Sequence, residues 1–185
     1  MDNKKGLERL LQGVLLLLGV LILLNGLVLW HVFQVERSVA PLRAVGQGPP
    51  DEGIRPGQKA PTFSLSDMQG NEISLSQFRG KRVLLVFAST ECGVCKRMFP
   101  HLSEYHKRHP EQQIVMILSG SKEAKEEVVD TYHFDFPVLA WDNKVAHAYR
   151  VPGTPWFFVV DAEGIVRRGG TANSLESIEA LVNEK

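Results

Sequence analysis

The stretch Val83-Leu84-Leu85-Val86-Phe87-Ala88-Ser89-Thr90-Glu91-Cys92-Gly93-Val94-Cys95-Lys96 decides the fold. An unbroken apolar run from Val83 to Phe87 suits a strand covered on both faces, because a half-exposed strand would alternate. The run stops at Ser89-Thr90-Glu91, and a helix is expected to begin just after Cys92 and continue toward His109, kinked by Pro100. Two cysteines therefore sit where a buried strand hands over to a helix. Unpaired N–H groups and the dipole at a helix start favour a thiolate, lowering the first thiol below the ordinary value of about 8.5. Cys92 is expected to be the nucleophile. Cys95, one turn on and less exposed, is placed to attack a mixed disulfide formed on Cys92 and to act as the resolving thiol.

Working outward, Phe63 and Leu65, then Ile73 and Leu75, alternate around a turn at Gly70 and predict a hairpin. Ile114–Leu118 is a second buried-strand candidate, and Ser121 can cap a helix through about Tyr132. Phe136–Leu139 reads as a short strand and Val145–Tyr149 as a helix. Trp156–Val160 and Ile165–Arg168 form a hairpin across Asp161-Ala162-Glu163-Gly164. Ser174 caps a last helix with Leu175, Ile178, Leu181 and Val182 on one face. The rhythm is α/β. Pro155, in Val151-Pro152-Gly153-Thr154-Pro155-Trp156, cannot donate to a ladder and belongs at a turn or strand start.

The chain has no cysteine besides Cys92 and Cys95, and a loop of two residues constrains an unfolded chain too little to staple a domain. The pair is free for chemistry. Structural zinc normally takes four Cys or His ligands, so half a site is all these two supply. His101, His106 and His109 are read as solvated surface histidines, and no resident metal or other cofactor is expected. Lysine plus arginine equals aspartate plus glutamate at 21 each, which argues against a nucleic-acid-binding surface.

The N-terminal segment differs from the rest. No charged residue occurs from Leu10 to Trp30, and a helix of that length spans a hydrocarbon core of roughly 30 Å. A cleaved signal peptide carries a shorter apolar core of about 7 to 15 residues. We therefore expect residues 10–31 to be a single transmembrane helix. Lys4, Lys5 and Arg9 place residues 1–9 in the cytoplasm by the positive-inside bias, and the domain outside it. Residues 32–57, rich in proline and glycine between Ala40 and Gly57, read as a linker. Residues 58–185 form the folded domain.

The chain resembles the thioredoxin superfamily, and within it the membrane-tethered TlpA/ResA group, over Gly57–Lys185. The resemblance rests on Gly57-Gln58-Lys59-Ala60-Pro61-Thr62-Phe63, Gly80–Phe87, Cys92 to Cys95 with Pro100, Gly153-Thr154-Pro155, and Asp161-Ala162-Glu163-Gly164. It implies a thioredoxin-like fold, a central mixed sheet flanked by helices, and a thiol:disulfide oxidoreductase acting on extracytoplasmic protein thiols or disulfides from a cell-membrane anchor. A membrane electron-transfer partner is also implied. It further implies that Thr154-Pro155 is a cis-proline loop facing the cysteines, where the Thr154 backbone pairs with an extended substrate. Phe87–Lys96 is similar to the MauD-like accessory proteins, which assist disulfide formation in a periplasmic amine dehydrogenase.

Three positions depart from the superfamily pattern. Val86 stands where many thioredoxins carry a buried acid, Glu91 replaces the usual tryptophan, and Gly93-Val94 contains no proline. Glu91 is the candidate for taking a proton from the resolving thiol. The Pro-x-x-x-Thr-x-x-Cys pattern of peroxiredoxins is absent. The alternative from a different class is a copper- or other metal-binding accessory module using the two thiolates with a distant His133 or His147.

Overall fold

In the computed structural model the described residues are 13–27, 30–31 and 53–183. The chain divides into two compact units, residues 1–48 and 49–185. In the first, residues 13–27 form helix α1, whose side chains are exposed. Among the described residues no helix is long and apolar enough to cross a membrane. The other ends of the expected span, residues 10–12 and 28–29, lie outside the described residues, as does most of the expected linker.

The second unit has the order β1 (Ser64–Ser66), β2 (Glu72–Ser74), a 3-10 turn (Leu75–Phe78), β3 (Val83–Ser89), α2 (Gly93–Arg108), β4 (Gln113–Ser119), α3 (Lys122–Tyr132), β5 (Val138–Ala140), α4 (Asn143–Ala148), β6 (Trp156–Val160), β7 (Val166–Gly170) and α5 (Leu175–Asn183). A five-stranded sheet runs β5-β4-β3-β6-β7. β3 lies parallel to β4 and antiparallel to β6, so Val86 sits between Met116 and Phe157. The sheet is mixed, as expected, and β3 is its central strand.

The unbroken apolar run is explained by two core layers. Leu84, Val86 and Ala88 face the layer formed with α2 and α5, including Cys95, Phe99, Leu102 and Ile178. Val83, Leu85 and Phe87 face the opposite layer, with Phe63, Ala146, Tyr149 and Phe158. Because side chains alternate along a strand, burial on both faces requires every position to be apolar. Three helices are capped by side chains, two of them, at Ser121 and Ser174, as the sequence predicts. Ser121 Oγ accepts from the Ala124 N–H at 3.2 Å, Asp142 Oδ1 from Val145 at 2.9 Å and Ser174 Oγ from Ser177 at 3.2 Å.

Several expectations need correction. The fifth strand begins at Val138, not Phe136. Pro137 cannot donate to a ladder, and Phe134 and Phe136 instead pack as a tilted pair with centroids 4.8 Å apart, Phe134 meeting Phe99 edge-on. α2 runs through Pro100. Ile54, within the expected linker, is buried in the core, and the neighbouring Gly57 N–H donates to the Val166 carbonyl at 2.8 Å.

His101, His106 and His109 are half-buried rather than fully solvated. His106 pairs with Asp135 and meets Phe136 edge-on, and His109 leans on Tyr105 with ring centroids 4.7 Å apart.

Candidate active site

Cys92 is the N-cap of α2, in extended conformation at φ −78° and ψ 116°. Its Sγ accepts the Cys95 backbone N–H at 3.3 Å, so the thiol takes the place that Ser, Thr or Asp oxygens usually fill at a helix start. The same Sγ–H donates to the Thr154 carbonyl at 3.2 Å, across 62 residues of sequence. The Thr154–Pro155 peptide bond is cis, and Pro155 is buried directly before β6. The central position of β3 makes this meeting possible. β3 delivers Cys92 at its C-terminal end, and antiparallel pairing puts Trp156, the first residue of β6, opposite Phe87.

The two thiols, both free, are unequal. Partial burial pushes Cys92 up, but hydrogen bonds from the Cys95 thiol and N–H, from Thr154 and from the Val94 N–H outweigh it and hold Cys92 below the ordinary thiol value. Burial pushes Cys95 up to about 11, and the adjacent Cys92 raises it through a hydrogen bond and its charge, against smaller opposing effects from Ser89 and Thr154. One sulfur thus ionises readily at the surface while the other keeps its proton beneath it. This is the asymmetry that thiol–disulfide exchange needs in an attacking and a resolving thiol.

The structure brings Cys92, Cys95, Thr154 and Pro155 together. Glu91 stays on the rim. It is exposed, its N–H donates to Ser89 Oγ at 3.2 Å, and its carboxylate has no hydrogen bond to either thiol. His133 forms the C-cap of α3 and His147 lies on α4. Among the described residues no group of three or more His, Cys, Asp or Glu side chains could hold a metal ion.

Sequence reading missed two residues that shape the site. Thr90 is 6% exposed, and its N–H donates to the Ser119 carbonyl at 2.9 Å. Gly120, at φ +141°, lies so close that a Cβ there would be 2.2 Å from Thr90 Oγ1. A glycine after a strand suggests a turn, but only the parallel β3–β4 register reveals that it faces the residues leading into the dithiol.

A parallel-antiparallel sheet with a dithiol at the first turn of the helix after its central strand, opposite a cis-proline loop, defines a thioredoxin-like domain. The chain belongs to the AhpC/TSA family, whose sequence pattern matches residues 56–168. It is a thiol:disulfide oxidoreductase. It is similar to the thiol-disulfide oxidoreductase ResA of Bacillus subtilis, 37% identical over 131 residues covering 69% of this chain and 73% of that protein. The thioredoxin-like protein YneN of Bacillus subtilis is 31% identical over 120 residues, covering 62% and 71%. Among solved structures, the thioredoxin domain of the Bacteroides vulgatus thiol-disulfide oxidoreductase BVU-2223 superposes with a TM-score of 0.62 at 22% identity, covering 70% of this chain and 99% of that one. A thiol:disulfide interchange protein from Chlorobium tepidum gives 0.61 at 23% identity, covering 70% and 95%. These two support the fold.

Proposed function

We propose that Cys92 and Cys95 are the exchanging pair of a membrane-tethered, extracytoplasmic oxidoreductase acting on protein substrates. The Cys92 thiolate attacks a substrate disulfide, one substrate sulfur leaves as a thiolate, and a mixed disulfide forms. Cys95 then loses its proton and attacks Cys92 Sγ, releasing the second substrate thiolate and leaving a Cys92–Cys95 disulfide. Two electrons pass from the dithiol to the substrate, and the reverse sequence installs a disulfide. Thr154 and Pro155 present the substrate backbone beside Cys92. The observation that carries this reading is the position of Cys92 Sγ, held between the Cys95 N–H at 3.3 Å and the Thr154 carbonyl at 3.2 Å.

The tether is supported by α1. Its exposed side chains include Leu15, Leu16, Leu17, Ile22 and Leu23, and the Asn25 side chain donates to the Leu21 carbonyl at 2.9 Å, satisfying part of a polar group that hydrocarbon would penalise. The similarity of residues 87–96 to MauD-like proteins points to clients that acquire disulfides outside the cytoplasm, with a membrane electron-transfer partner resetting the pair.

Replacing Cys92 with serine should abolish exchange, and replacing Cys95 with serine should trap a mixed disulfide. Turnover retained in the Cys92→Ser variant would sink the mechanism. Alkaline extraction of membranes should leave the full chain in the pellet, and release into the soluble fraction would remove the tether. A reduction potential near about −270 mV would mark a reductant, and one near about −120 mV an oxidant.

A further inference from the structure

Trp156 stands directly after Pro155 at the start of β6, and its indole N–H is buried without a hydrogen-bond partner among the described residues. Buried donors are normally paired, and leaving one unpaired opposes folding. The ring is held in place by packing, against that cost.

Two glycines make the packing possible. Gly53 is buried in left-handed conformation at φ +67°, and a Cβ there would lie 2.8 Å from Phe158 Cζ and 3.0 Å from Trp156 Nε1. At Gly169, on β7, a Cβ would lie 3.0 Å from Phe158 Cε1 and 3.5 Å from Trp156 Nε1. The two rings meet edge-on with centroids 6.4 Å apart. The backbones of two separate segments thus close on one aromatic pair. The first segment continues as a strap along β7. Ile54 is buried in the same layer as Phe158, the Gly57 N–H donates to the Val166 carbonyl, and the Val166 N–H donates to the Gln58 carbonyl, both at 2.8 Å.

This clasp acts at the end of β6, where one ladder has run out. Trp156 pairs with Phe87 of β3, but the ladder with β7 begins one residue later, at Phe157 and Gly170. On the β7 side the packing of the ring, and not a ladder, fixes Trp156. Thr154 lies two residues earlier, at most about 7 Å along the chain, and its carbonyl stands 3.2 Å from Cys92 Sγ.

We infer that Trp156 is a positioning residue for exchange with polypeptides: clasped by Gly53 and Gly169, it sets where the Thr154–Pro155 loop stands beside Cys92, which makes the strap from Gly53 part of the active-site scaffold. The inference rests on the proposed Cys92–Cys95 exchange and identifies what holds the substrate-presenting loop in place. A displaced loop loses backbone pairing with an extended substrate, while the two thiols, carried by α2, keep their own geometry.

The test uses the full chain and its Gly53→Ala, Gly169→Ala and Ser103→Ala variants, each with two oxidised substrates. One is a disulfide-bonded peptide, whose backbone the loop presents, and the other is hydroxyethyl disulfide, which has no backbone to present. The readout is the ratio of the two exchange rates. Both rates scale with the folded fraction and with the Cys92 thiolate fraction, so a loss of stability alone leaves the ratio where it was. In Gly53→Ala and Gly169→Ala the peptide rate should fall about two- to tenfold relative to the small disulfide, what one net backbone hydrogen bond is worth. Ser103→Ala removes a hydrogen bond to the Tyr132 carbonyl, outside the clasp, and should leave the ratio unchanged.

Gly169→Ala adds no left-handed strain and decides the question even where Gly53→Ala fails to fold. An unchanged ratio in Gly169→Ala would overturn the positioning role while leaving the dithiol reading intact. A ratio lowered as much by Ser103→Ala would overturn it too, because any weakening of the fold would then do the same. Absence of exchange with both substrates in the unmodified chain would remove the exchange reading and this inference with it.

Discussion

Replacing Gly120 with alanine tests whether the approach to the dithiol is as tightly built as the structure has it. Two costs arise. At φ +141° the backbone is in a region that residues with a Cβ rarely enter, worth about 1 to 3 kcal/mol. The new Cβ would lie 2.2 Å from Thr90 Oγ1, 2.8 Å from its Cγ2 and 3.0 Å from its Cβ. Thr90 cannot yield cheaply, because it is buried and its N–H is bonded to Ser119, and such overpacking costs about 1 to 3 kcal/mol. The sum is on the order of 2 to 6 kcal/mol, a large share of the roughly 5 to 15 kcal/mol that stabilises a domain. With a slope of about 2 kcal/mol per molar urea, the midpoint should fall by about 1 to 3 M. In a Thr90→Ala background the two closest atoms are gone and the Cβ contact at 3.0 Å stays, so most of the steric cost is relieved and the two substitutions should couple by about 1 to 3 kcal/mol. Tryptophan fluorescence across a urea series gives all four midpoints. An unchanged midpoint for Gly120→Ala, or the same loss in both backgrounds, would refute the reasoning.

Alkylation by iodoacetamide should occur first at Cys92 and titrate below the ordinary thiol value, with Cys95 silent in the folded protein until about pH 11; mass mapping that finds Cys95 labelled first would contradict the assignment. Cys95 holds its proton in the fold up to about 11 against 9.0 when unfolded, so its contribution to stability is intact below pH 9 and is lost between 9 and 11. The gap in urea midpoint between the unmodified chain and Cys95→Ala should shift in that window in favour of the variant, and a constant gap would show that the two states titrate alike. Tyr149 is fully buried and its hydroxyl donates to the Pro61 carbonyl at 2.8 Å; Tyr149→Phe should cost about 1 kcal/mol, read as a drop of a few degrees in thermal midpoint. Glu91→Gln should leave the exchange rate within about twofold, whereas loss of a true general base would cost about 100-fold or more, an outcome that would return the proton-accepting role to Glu91.

The sheet was legible because its signals are local. The run Val83–Phe87 announces burial on both faces, and Ser121 and Ser174 announce helix starts. The cysteine doublet at a strand–helix junction was legible for the same reason, and Cys92 caps the helix that follows β3. What escaped reading depends on contacts between distant residues. His106 meets Asp135, 29 residues away, through the packing of α2 against the segment before β5. Nothing in the spacing of histidines on one helix announces such a partner. Ile54 sits among prolines and glycines whose composition reads as a spacer, yet one large apolar side chain is enough to dock its part of the segment on the core. The β5 boundary moved because Phe134 and Phe136 gain more by packing on α2 than by extending a strand through Pro137.

The apolar residue at Val86 bears on how the resolving thiol loses its proton. Cys95 is buried with Leu84, Val86, Ala88, Phe99 and Phe157; among the described residues the buried polar side chains are Thr90 and Ser103, neither an acid nor a base, and the groups that act on the Cys95 thiol are Cys92, Ser89 and Thr154. The proton must therefore leave on the side of Cys92 and Thr154, toward solvent. With Cys92 ionised this is difficult, because its charge and its hydrogen bond both raise Cys95. Once Cys92 is joined to a substrate sulfur, that charge is gone and the hydrogen bond to a thiolate with it. Two of the three effects that raise Cys95 then vanish, leaving burial alone. The resolving thiol is hard to ionise while attack on it would be premature and becomes easier to ionise when the mixed disulfide awaits it. In this arrangement the substrate itself relieves the block, and a buried acid beneath Cys95 is not required for the two steps to follow in order.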